Sequence, residues 1–132
     1  MKLITIILAV LAINCVGAPD VGDNTTVLVE GVEVPRSCEG PAQHVAVLTA
    51  EARQAQIDAI EDPVRRERAQ GAFDANFSLA WRQWVTDAML SCAGVVLLPD
   101  GTPFPTAEGA WTEDEVACVL EAESLSELAT CW

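Results

Sequence analysis

His44 is the only histidine in the sequence and tyrosine is absent, so few residue types that work as general acids or bases are present. A base at His44 would need a nucleophile or a carboxylate carried to it by the fold. No GxSxG, HExxH or paired-cysteine motif supplies such a partner locally. The 20 Asp and Glu residues make a glycosidase-like carboxylate pair numerically available. Their positions point to a structural use instead. Glu61-Asp62 and Glu113-Asp114-Glu115 fall at expected helix starts, where the macrodipole favours negative charge. No segment carries the alternating ligands, glycine and closing glutamate of an EF-hand. The residues therefore nominate no catalytic centre, no metal site and no cofactor. A small secreted hydrolase using carboxylates, with His44, is the alternative reading.

Two other groups could meet a partner. Arg65, Arg66 and Arg68 form the one basic cluster, spread over a broad arc of a helix. Of four tryptophans, Trp81 and Trp84 fall at core spacing, whereas Trp111 and Trp132 flank the last helices. Exposed tryptophans mark a binding surface better than any other side chain here. Trp111, Trp132 and the three arginines are therefore the expected partner surface.

Five cysteines complete the inventory: Cys15, Cys38, Cys92, Cys118 and Cys131. Cys15 belongs to a leader, which leaves four, an even number that reads as two disulfides in a small exported chain. Of the three possible pairings, the expected one joins Cys118 to Cys131 locally and Cys38 to Cys92. The second bond would tie the start of the domain to the end of its longest helix. Zinc is disfavoured, because no CxxC exists and His44 stands apart in sequence.

The leader is Met1 to Ala18. Lys2 precedes an uncharged run, Leu3–Ile13, of the length a secretory signal needs and too short to span a bilayer. Cleavage after Ala18 or after Gly17 yields a free chain; retained, the run would instead be an N-terminal core helix. Leu11 to Cys15 resembles a bacterial lipoprotein box, with Asn14 where a small residue is usual, and implies lipidation of Cys15 instead. Residues 19–26 form a Gly/Asp/Asn-rich tether holding the sequon Asn24-Thr25-Thr26.

The formal charge is −13, with 7 Lys+Arg against 20 Asp+Glu. Losing the leader removes Lys2, the only lysine, and no carboxylate, so the mature chain is more acidic still. Such a surface disfavours nucleic acid and anionic lipid, so membrane contact is expected only through an anchor on Cys15. The expected partner is a protein with a basic surface.

The elements that must position these residues follow from periodicity. Val27–Val34 alternates and reads as one short strand ended by Pro35. Ala42–Glu61 reads as a first helix with an alanine stripe at 52, 55 and 59. Asp62-Pro63 pairs an N-cap with proline at the first helical position and opens a second helix to Cys92. Phe73, Phe77, Ala80, Trp81, Trp84, Ala88 and Cys92 share one face of it, the expected buried face, and Gly71 marks a potential kink. Val95–Leu98, Asp100-Gly101 and Phe104 form a ribbon or extended loop that could pair with Val27–Val34. Thr112 and Glu115 make a capping box for a third helix, and Ser124 starts a short last one.

The sequence thus predicts a mainly α, disulfide-stapled domain over 27–132, of three to four helices with a minor two-stranded β element. Export is expected, to the medium, the periplasm or the outer envelope. The expected role is a non-enzymatic binding or interaction module, with a structural envelope protein as a further alternative.

Overall fold

The computed structural model describes residues 25–132. The expected leader, Cys15, Asn24 and most of the expected tether lie outside the described residues. The described chain is mainly helical, with four α-helices and two small antiparallel hairpins.

β1 (Thr26–Val29) and β2 (Val32–Pro35) pair in the register Val27↔Val34 and Leu28↔Glu33. The single strand read from the sequence is therefore two strands. The chain reverses at Glu30-Gly31, where φ is 50° and 78°. Two positive φ values give the hairpin turn whose twist matches its strands. Glutamate at the first position hides the usual Asn-Gly or Asp-Gly signal.

A 3-10 turn, Arg36–Cys38, leads into α1 (Glu39–Asp58). The helix begins at Glu39 rather than Ala42 and ends at Asp58 rather than Glu61. Pro41 is accommodated because a first-turn N–H has no intrahelical acceptor to lose. In the turn that follows, Arg66 donates from Nη1 to the Ile60 carbonyl at 3.0 Å.

α2 (Pro63–Cys92) has the predicted bounds. Asp62 Oδ1 accepts from the Val64 N–H at 2.9 Å, and Pro63 supplies a preset φ. The helix runs unbroken through Gly71 for about 45 Å at the ordinary rise per residue. Ala93 and Gly94 end it.

β3 (Val95–Leu97) and β4 (Pro103–Pro105) pair around Val96↔Phe104. The expected pairing of this segment with Val27–Val34 does not occur. Each turn closes its own hairpin, which costs less entropy than joining distant strands. α3 (Glu113–Glu121) opens with the full Thr112/Glu115 capping box. α4 (Leu125–Leu128) is capped by the Ser124 hydroxyl and runs into a 3-10 turn, Ala129–Cys131.

Two apolar clusters hold these pieces. One joins Val34, Cys38, Ala42, Ala88, Met89, Leu90 and Cys92, at the base of the α1–α2 hairpin. The other joins Leu48 with Val119, Ala122 and Leu128, and seats α3 and α4 on α1. The Cys38–Cys92 and Cys118–Cys131 disulfides staple the two clusters. On the chain-entropy account, separations of 54 and 13 residues contribute about 4 and about 3 kcal/mol.

The aromatic face of α2 is not the core that its spacing implies. Ala88 and Cys92 are buried, but Phe73, Ala80, Trp81 and Trp84 are half-buried and Phe77 is 37% exposed. The buried clusters draw on α2 only from Val85 onward. Before that, the helix packs chiefly against α1, which is rich in alanine, and its rings stay partly exposed. They pack on one another along their own helix: Phe77–Trp81 stacked at 6.0 Å, and Phe73–Phe77 and Phe77–Trp84 edge-to-face at 5.5 and 6.4 Å.

Candidate functional site

Trp111 reaches α2 because of a glycine. Gly94 has φ 76°, and the 109–110 backbone lies directly against it. That approach lets the Trp111 N–H donate to the Cys92 carbonyl at 2.9 Å, and the Thr106 N–H to the Gly94 carbonyl at 2.9 Å. These bonds satisfy backbone acceptors at the helix end and pin the segment that carries the indole.

Trp132 is brought to the same place by the other staple. The Cys118–Cys131 bond fixes the residue just before it. His44 fixes the frame: its Nε2–H donates to the Ala122 carbonyl at 2.6 Å, joining α1 to the end of α3. The Trp111 and Trp132 rings then stack with centroids 5.1 Å apart and planes 30° from parallel. Trp132 remains 59% exposed.

These two indoles and Trp84 wall a cleft of about 280 Å³. Val45, Ala88 and Leu128 give it an apolar lining, and its polar groups are Thr49, Asp87 and Ser91. Gln83 donates to Asp87 Oδ1 at 2.8 Å and so orients that carboxylate. A second hollow of about 190 Å³ lies beside it, sharing Ser91, Trp111 and Trp132 and adding Glu108 and Glu115. Charge here has one sign. After Arg82 the sequence holds nine carboxylates and no lysine or arginine. Three indoles among carboxylates can hold a cation by its charge and by its contact with the ring faces.

The fold brings Trp111 and Trp132 together but leaves Arg65, Arg66 and Arg68 exposed near the far end of α2. Arg66 and Trp84 are about 27 Å apart along the helix axis. His44 is committed through Nε2 to a backbone carbonyl, a structural use. Asn76, in a further sequon, Asn76-Phe77-Ser78, donates to the Ala72 carbonyl on an exposed helical turn. Sequence spacing does not single out Trp84, Asp87, Glu108 and Glu115 as site residues. It assigns Trp84 to the core, and only the one-signed charge after Arg82 points to this part of the chain.

Among the described residues, no group of three or more His, Cys, Asp or Glu gathers to hold a metal ion. No helix among them is long and apolar enough to cross a membrane. Two disulfides fit an oxidising compartment. No protein-family model matches the sequence, and neither a curated protein nor a solved structure shows significant similarity to it.

Proposed function

We propose that this chain is an exported, non-enzymatic binding module that docks a basic protein surface on its anionic C-terminal lobe. One observation carries the reading: the tryptophan cleft opens on a stretch of chain in which every charged residue after Arg82 is a carboxylate. Aromatic anchors within a complementary field are the usual makings of a recognition surface. The disulfides support a location outside the reducing cytosol, free or held by lipid on Cys15. Affinity capture from the exported fraction of the native host tests the role. The full chain is compared with a variant carrying Glu108→Lys, Asp114→Lys and Glu121→Lys. A captured partner that is basic at its contact face, lost with the variant and weakened by salt, supports the reading. Association indifferent to salt and to the three reversals overturns it. Intact mass from the same host tests export: a start near Ala18 or Pro19, or an acylated Cys15, is expected, and a retained leader counts against it.

A further inference from the structure

We infer that the group held in the tryptophan cleft is an arginine side chain of the partner, stacked on the Trp132 face and neutralised by Asp87. This rests on the reading of the anionic lobe as a docking surface and names what it recognises. The cleft is too apolar to be a general cation sink: tryptophan, valine, alanine and leucine make most of its wall. A lysine ammonium is a compact, strongly hydrated charge, and such a wall would strip its water without replacing it. A guanidinium is planar and weakly hydrated on its faces, so it gains from a flat indole. Trp132 presents such a face, because Trp111 backs one side of the ring and more than half of Trp132 is exposed. Asp87 stands at the same cleft with its carboxylate oriented by Gln83. A carboxylate accepts the forked N–H groups of arginine in pairs, a geometry lysine lacks. The adjoining hollow, with Glu108 and Glu115, offers opposite charge to a second cation on the same segment. The occupant is therefore a basic segment of a partner protein with an arginine as its anchor.

The test titrates the full, disulfide-intact chain with acetylated tetra-arginine, tetra-lysine and tetra-citrulline peptides. Binding is followed by tryptophan fluorescence and by the indole N–H resonances. Tetra-arginine should bind about tenfold more tightly than tetra-lysine, and the uncharged citrulline peptide should not bind. Trp132→Ala and Asp87→Asn should each weaken arginine binding by about tenfold, with Trp132→Phe retaining most of it. Glu67→Gln, far along α2, should change nothing. Equal binding of the arginine and lysine peptides, unmoved by Trp132→Ala, would overturn the arginine anchor and leave the basic-partner reading standing. Tighter binding of tetramethylammonium than of tetra-arginine would overturn it in favour of an alkylammonium ligand. No binding of either cationic peptide would overturn both readings.

Discussion

Gly94 and Ala110 approach so closely that a Cβ built on Gly94 would fall 2.5 Å from the Ala110 nitrogen. The contact lies between backbones, so no side chain can swing away to relieve it. Gly94 also sits at φ 76°, which disfavours any side chain. Gly94→Ala should therefore destabilise the fold by roughly 2–3 kcal/mol. It should also release Trp111 from the Cys92 carbonyl. Urea unfolding with near-UV circular dichroism checks both effects, and an unchanged tryptophan signal would argue against this role for Gly94.

Gly71 shows the opposite case. It lies in an unbroken stretch of α2, exposed, with nothing within 4 Å of a built Cβ. Gly71→Ala should stabilise the chain by about 0.5–1 kcal/mol, through helix propensity and a less free unfolded chain. A rise in the urea midpoint at constant slope is the expected result.

His44 links two helices through one bond to a helix-end carbonyl. His44→Ala should cost about 1–2 kcal/mol, because the Ala122 carbonyl loses its donor in a partly buried place. Amide exchange at the end of α3 should quicken more than exchange along α2.

Removing the Cys118–Cys131 bond by a double serine substitution should cost up to about 3 kcal/mol. The loss should be local, loosening α4 and the Trp111–Trp132 stack. Removing Cys38–Cys92 should cost more and act on the whole domain, because that bond closes the longer loop across the α1–α2 base. Separate thermal unfolding of the two double variants distinguishes the cases.

Asp100 holds the β3–β4 turn, accepting the Thr102 N–H at 2.9 Å on Oδ1. The Thr102 backbone bond, aided by the Thr102 hydroxyl, keeps its carboxyl below the usual range. A carboxyl depressed in the folded state favours folding above its unfolded pKa and loses that contribution as pH falls through the lowered value. The hairpin should thus loosen only in acid. In an NMR titration the Thr102 amide should shift together with the Asp100 carboxyl, with a midpoint below the ordinary aspartate value of about 3.9. Asp100→Asn should abolish that shift of the Thr102 amide.

Helix starts and staples are legible in the residues alone. Asp62-Pro63, Thr112 with Glu115, and Ser124 each act within a few residues of chain, so local chemistry suffices to place them. With Cys15 set aside in the expected leader, four cysteines read as two disulfides; the sequence only favours one of three pairings, and the tertiary structure decides it. The Glu30-Gly31 turn is not legible, because glutamate is an unusual occupant of a positive φ and the alternation continues across it. The exposure of the α2 rings escapes the sequence for a different reason. Periodicity reports which residues share a face, but not how wide the neighbour covering that face is, and α1 covers only part of it. The cleft is the furthest from sequence. Trp84, Trp111 and Trp132 belong to three separate segments, and their meeting depends on Gly94 admitting the 109–110 backbone and on Cys131 holding the adjoining Trp132. Contacts of that range are made by packing, and no spacing along the chain encodes them.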